Sequence, residues 1–359
     1  MTGKPKVSSF PSILVLAVAA SVGLLLARQK KYPWHEGPHW ERFLEIYDNW
    51  VVRNYRSCDS RLIPTRFGPT QVHGCGDIAN PAVLLLPGAA SNSIMYSDWL
   101  IPALSEDHYA VAVDNLCDVG RSVPKDKRLS NCPQNQQELA EWVQEVVQGL
   151  GLSLHRVSLV GYSYGSFIAA CTASFLPDLV DKLVLIAPAA VFAPIRISWF
   201  LRAIVCRLFP FFGVTNWFFK YMSADPDFDL KNMNQMDQEM REAINDADAS
   251  ALAVLPVQLS DERLHKITAK HSTLLVIGED ETVTSATVAV ETARRTGVQV
   301  QLFPQSGHLL LMEHPREPST CSGKVFLTLR YHGRGHRRCT LIHQPEDGGT
   351  RARNWYCSY

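Results

Sequence analysis

The residues best suited to chemistry are a serine flanked by glycines, a late histidine and a short run of carboxylates. Gly161-Tyr162-Ser163-Tyr164-Gly165 has the pattern G-x-S-x-G, directly after an apolar run at 157–160 and directly before a helical pattern. A nucleophile raised on so tight a strand-to-helix turn needs small residues two positions to either side, because bulk there would meet neighbouring backbone. A serine hydroxyl also needs a general base, and the base needs an acid to orient it. His308 follows Gly307 soon after the apolar run at 298–303, while most other histidines lie near the N-terminus, in helical stretches or in the tail. For the acid, the run at 274–277 leads into Gly278-Glu279-Asp280-Glu281. Glu281, third after the glycine, is the first choice, and Asp280 is the reserve. Charge developing on a substrate carbonyl needs N–H donors as well. Tyr164, next to the nucleophile, and Ala89, in the turn Leu86-Pro87-Gly88-Ala89, are the natural pair: Pro87 has no N–H and Gly88 permits a sharp reversal.

These groups require a rigid frame. Short apolar runs at 82–86, 110–113, 157–160, 183–186, 273–277 and 298–303 read as buried strands. Helix-length stretches at 137–150, 167–176 and 286–295 alternate with them. The alternation predicts an α/β protein with a doubly wound, mostly parallel sheet whose sites form at the carboxyl ends of the strands. The order breaks at 192–258, where no strand pattern appears and aromatic residues crowd together, from Trp199 to Tyr221. That stretch reads as a helical cap inserted between core segments 62–191 and 259–318, with an atypical tail at 319–359.

The N-terminus is organised differently. Residues 13–27 are apolar and uncharged, preceded by Lys4 and Lys6 and closed by Arg28, Lys30 and Lys31. This predicts a single-pass signal anchor within 1–31. A secretory signal removed by cleavage is the alternative, although Leu25-Leu26-Ala27-Arg28 lacks a small-x-small cleavage site. Residues 32–61 read as a juxtamembrane amphipathic segment, with Trp34, Trp40, Phe43, Tyr47, Trp50 and Val51 at mostly helical spacing. Its aromatic stripe is expected to pack on the domain or to sit at the lipid interface.

Composition narrows the function classes. With 46% hydrophobic and 19% charged residues, 35 basic against 35 acidic, the chain is neither a disordered segment nor a dedicated nucleic-acid binder. Nine cysteines, an odd number without a C-x-x-C pair, point neither to a disulfide framework nor to a zinc ribbon, and leave the redox compartment open. His332, His336, Cys339 and His343 in the tail have no standard metal-ligand spacing. No metal or cofactor is expected.

From about residue 62 to 315 the chain resembles the α/β hydrolases, specifically the single-domain serine carboxylesterases with a helical cap. Besides the Ser163 turn, the resemblance lies in Pro64-Thr65-Arg66-Phe67-Gly68, in Asp114-Asn115-Leu116-Cys117-Asp118-Val119-Gly120-Arg121-Ser122, in Gly278-Glu279-Asp280-Glu281, and in Gly307-His308 followed by Met312-Glu313-His314-Pro315. The resemblance implies an acid third after the glycine, at Glu281. Two departures stand out: relatives carry His-Gly where this chain has Pro87-Gly88, and they end in an amphipathic helix where this chain has residues 319–359. The expected function is hydrolysis of a small apolar ester at a membrane. Acyl transfer or thioester hydrolysis on the same triad is an alternative, and so is a catalytically silent ligand receptor.

Overall fold

The computed structural model describes residues 38–98, 100–152, 156–209, 211–232 and 253–313. The apolar run at 13–27, part of the insertion and the tail from 319 lie outside the described residues. Among those described, no helix is long and apolar enough to cross a membrane.

Among the described residues, eight strands form one sheet: β1 (Asp59–Ile63), β2 (Thr70–Cys75), β3 (Ala82–Leu86), β4 (Tyr109–Val113), β5 (Val157–Tyr162), β6 (Val180–Ile186), β7 (Ser272–Gly278) and β8 (Gln299–Phe303). Their order is β1-β2-β4-β3-β5-β6-β7-β8. β1 and β2 pair antiparallel, as do β2 and β4, and every later pairing is parallel. The helices are α1 (Pro38–Asn54), α2 (Leu100–Leu104), α3 (Gln136–Gly149), α4 (Tyr164–Phe175), α5 (Ile197–Leu208), α6 (Phe212–Met222), α7 (Asp261–Lys270), α8 (Ala286–Arg295) and α9 (Leu310–Glu313).

Alternate strand residues enter two separate cores. Leu84, Leu86, Val111, Val113, Leu159 and Ile277 pack on one face, with side chains of α1, α3, α4, α7 and α8. Val83, Leu85, Ala110, Ala112, Val160 and Val276 pack on the other, with Tyr96, Leu100, Leu104 and Leu310. Burial on both faces is why these strands read as continuous apolar runs. Helix ends follow local chemistry: the Asn135 side chain accepts from the Glu138 N–H at 2.9 Å to start α3, while the Glu138 carboxylate accepts from the Gln134 N–H at 2.8 Å.

The aromatic stripe of α1 packs on the domain. Phe43, Tyr47 and Trp50 are buried, and Trp50 Nε1 donates to Ser97 Oγ at 2.8 Å. Tyr47 donates its hydroxyl proton to Asp114 at 2.9 Å and lies 2.9 Å from His73 Nε2, while Ser60 Oγ is 2.7 Å from His73 Nδ1. With Tyr47 donating to the carboxylate, His73 donates from Nε2 and accepts at Nδ1 as a neutral imidazole. Burial holds its pKa below the ordinary 6.5; the Asp114 carboxylate opposes that shift and Arg121 adds to it. The unfolded chain therefore takes up this proton near pH 6.5, before the folded protein does, so stability falls as pH drops below that value. The slope contributed by one such group is at most about 1.4 kcal/mol per pH unit. Thermal midpoints are expected to decline between pH 7 and 5, with a shallower decline in His73→Gln.

Contrary to the cysteine pattern, two disulfides form among the described residues. The β1–β2 register pairs Asp59 with Gly74, which sets Cys58 opposite Cys75, and these two are bonded. Cys117, in the loop after β4, bonds Cys132, just before α3. Cys171 and Cys206 are free thiols. The pairing depends on which strands and loops become neighbours, and spacing along the chain does not encode that.

Candidate active site

Strand order decides which loops meet. β4, β3 and β5 are neighbours, as are β7 and β8, so the loops after these strands gather at one end of the sheet. Ser163 sits between β5 and α4 with φ 50° and ψ −111°, in the left-handed region that a side chain occupies at a cost. Its backbone is held there: its N–H donates to Ile186 O at 2.9 Å, and its carbonyl accepts from Ala189 N–H at 3.1 Å. A Cβ on Gly161 would lie 2.4 Å from the Gly165 backbone, and one on Gly165 would lie 1.9 Å from Leu86 O. The two glycines let the turn press against its own helix and against β3.

The structure brings Ser163, His308 and Glu281 together. His308 Nε2 is 2.9 Å from Ser163 Oγ, and His308 Nδ1 is 2.8 and 3.0 Å from the two Glu281 carboxylate oxygens. An ionised carboxylate can only accept, so Nδ1 carries the proton and Nε2 presents its lone pair to the serine hydroxyl. Glu281 is 3% exposed and also accepts from Val283 N–H at 2.7 Å. Asp280 is exposed, and its backbone N–H donates to Ser306 O at 2.9 Å. The histidine loop is fixed from two sides: His308 N–H donates to Met222 O at 2.8 Å, and the Tyr162 hydroxyl donates to His308 O at 2.7 Å.

Tyr164 is the first residue of α4, where a helix leaves its N–H groups without intrahelical partners. Its side chain points elsewhere, with the hydroxyl donating to Val254 O at 2.8 Å. Burial, and then the Asp118 charge, push that phenol well above its usual range and keep it neutral. Ala89 is exposed and follows Gly88, where a Cβ would lie 3.4 Å from Ser163 Cβ. The next N–H, that of Ala90, is committed to the Asp118 carboxylate at 3.1 Å. Sequence reasoning does not single out Asp118, Asn115, Tyr162 or Glu313. Glu313 accepts from Gly307 N–H at 2.8 Å and from Ala224 N–H at 2.6 Å, joining the histidine loop to the stretch after α6. Polar residues inside the matched loops are the available signal, but their partners lie on other strands.

Between β6 and α7, helices α5 and α6 rest on the loops that carry Glu281 and His308. Met222, Val283 and Leu309 are buried together, with Trp199, Phe218 and Phe219 packed against them. A cleft of about 480 Å³ lies beside this contact, lined by Arg196, Ser223, Ala224, Glu279, Asp280, Glu281 and Thr282. It reaches the acid from outside and does not include Ser163. The constellation can therefore pass a proton from the Ser163 hydroxyl to an oriented imidazole, beside backbone N–H groups on two adjoining loops.

The chain is similar in sequence and in fold to known proteins. Carboxylesterase YbfK of Bacillus subtilis (strain 168) is 26% identical over 283 residues, which cover 76% of this chain and 90% of that protein. An uncharacterised carboxylesterase, nap, of the same organism is 25% identical over 289 residues, 77% of this chain and 88% of that protein. The crystal structure of naproxen esterase from Bacillus subtilis superposes with a TM-score of 0.71 at 22% identity, covering 83% of this chain and 99% of that one. The sequence profile described as the Alpha/beta hydrolase family matches residues 83–318. Since that stretch is well over half of the 359 residues, the chain belongs to the alpha/beta hydrolase family.

Proposed function

We propose that this α/β hydrolase cleaves carboxylic esters of apolar substrates through an acyl-enzyme on Ser163. The observation that carries the reading is the continuous hydrogen-bonded path from Ser163 Oγ through His308 to a buried Glu281. That the reaction is ester hydrolysis is supported by relatives named carboxylesterases, which align over most of the chain. Ser163 Oγ attacks the carbonyl carbon while His308 Nε2 takes its proton. The N–H groups of Tyr164 and Ala89 stabilise the oxyanion. His308 then gives the proton to the departing alkoxide, and a water molecule repeats the sequence to free the acid and restore Ser163. Glu281 holds the imidazole in the tautomer this requires.

An apolar substrate is supported by the insertion, read as a cap over the site, whose aromatic side chains pack beside the Glu281 and His308 loops. Membrane attachment rests on residues 13–27. It is supported further by α5 and the turn after it, where Ile197, Leu201, Leu208, Phe209 and Phe211 are exposed, and by four cations and no acid between residues 195 and 224. The two disulfides favour an oxidising compartment and so support a catalytic domain on the side of the membrane away from the cytosol.

A fluorophosphonate probe is expected to label the wild-type protein on one serine and to leave Ser163→Ala unlabelled. Labelling that persists in Ser163→Ala removes the reading. In a panel of chromogenic esters, kcat/KM is expected to rise with acyl length, and a flat response would count against the apolar substrate.

A further inference from the structure

Pro87 stands where the resembling esterases carry a histidine, so something else must hold the turn that presents Ala89. Two side chains from the loop after β4 grip that turn at both ends. Asn115 Nδ2 donates to Pro87 O at 2.8 Å, and the Asp118 carboxylate accepts from Ala90 N–H with both oxygens at 3.1 Å. Between the two held positions lie only Gly88 and Ala89. Both gripping side chains are almost fully buried, Asn115 2% and Asp118 1% exposed. Their strand, β4, is the sheet neighbour of β3, from which the turn springs, so the two loops necessarily run side by side.

Four further observations show that the grip is specified. Ala90 has φ 54°, a left-handed alanine that persists only where its surroundings hold it. Asn115 leaves its own Oδ1 buried without a partner among the described residues, a cost that an apolar residue would avoid and that the bond to Pro87 offsets. Cys117, lying between Asn115 and Asp118, is itself left-handed at φ 67° and is anchored to Cys132 by the disulfide. Asp118 also accepts from Val119 N–H at 2.8 Å, which fixes its carboxylate in the loop that bears it.

We propose that Asp118 and Asn115 are positioning residues that aim the Ala89 N–H at the oxyanion, with the Cys117–Cys132 disulfide keeping their loop in register. The inference rests on the Ser163 esterase reading. Neither residue touches the reacting atoms; each acts through the backbone of residues 87–90. Outright loss of an oxyanion donor costs about 10² to 10³ in rate. A donor released from its grip but still present costs less.

Asp118→Ala is expected to lower kcat about 10- to 100-fold while KM stays within about twofold. Asp118→Asn keeps an oxygen facing Ala90 N–H and is expected to retain about a third or more of kcat, a rescue that lost packing would not produce. Affinity for a trifluoromethyl ketone, whose adduct with Ser163 places a negative oxygen among the donors, is expected to fall in step with kcat/KM in Asp118→Ala. All variants are assayed well below their thermal midpoints. A folded Asp118→Ala with wild-type kcat and undiminished ketone affinity overturns the inference. If that variant does not fold, Asn115→Ala decides: a severalfold drop in kcat at unchanged KM supports the grip, and wild-type kcat overturns it. A wild-type protein that turns over no ester overturns the esterase reading itself, before any variant is compared.

Discussion

Changing His308 to alanine is expected to lower kcat for ester hydrolysis about 10⁶-fold, whereas Glu281→Gln is expected to lower it about 10⁴-fold. The difference follows from what each residue does. Without the imidazole, the Ser163 hydroxyl has no group at 2.9 Å to take its proton, so the proposed attack loses its base. Without the carboxylate charge, the imidazole remains beside Ser163, but the side-chain amide of Glu281→Gln can present an N–H to His308 Nδ1 and favour the tautomer with its proton on Nε2. That tautomer faces the serine with a donor where an acceptor is required. Asp280→Asn serves as the internal comparison: its side chain is exposed and is expected to change kcat by less than about twofold. Steady-state kinetics on one ester measure all three. If Asp280→Asn loses as much as Glu281→Gln, the acid is misassigned and the His308–Glu281 contact at 2.8 Å does not report the working arrangement.

Legibility in the sequence tracks burial for most strands, although β8, expected to be buried, is legible with only Phe303 of its five residues buried. The strands β3 to β7 are covered on both faces, so their apolar runs stand out and locate them to within a few residues. β1 and β2 do not read as apolar runs, because β1 is Asp59-Ser60-Arg61-Leu62-Ile63, mostly exposed, and β2 carries Gln71 and His73 into the interior. The buried imidazole is satisfied by distant partners, Tyr47 and Ser60, and no local pattern announces that. The stripe on α1 is visible as helical spacing, yet its destination is not. Lipid and a protein core ask for the same aromatic face, and only the Tyr47 contact with Asp114 and the Trp50 contact with Ser97 distinguish them. Choosing between Glu281 and Asp280 meets the same difficulty. Three adjacent carboxylates differ little as letters, but the turn after β7 points one inward, where Val283 N–H and His308 take up its oxygens.

Gly165→Ala is expected to destabilise the protein by more than about 4 kcal/mol, enough to leave little folded material, since whole domains are typically stable by about 5 to 15 kcal/mol. The new Cβ would lie 1.9 Å from Leu86 O and 2.6 Å from Pro87 O. Both are backbone atoms of β3 and the turn that follows it, so no side chain can swing aside. Relief requires α4 to move away from the sheet, and that movement would draw Ser163 from His308 and the Tyr164 N–H from the turn after β3. The same contact that makes the substitution costly is thus the one that sets Ser163 and the Tyr164 N–H beside the turn after β3. Gly213→Ala separates this effect from any general penalty for replacing a helical glycine. Nothing lies within 4 Å of the Cβ it would add at the start of α6, so its stability is expected to be unchanged or up to about 1 kcal/mol higher. Soluble yield and thermal midpoints of the two variants, purified in parallel, make the comparison. A Gly165→Ala protein with a wild-type midpoint would mean that the Ser163 turn does not press on β3 as described, and that the backbone does not enforce the placement of Ser163.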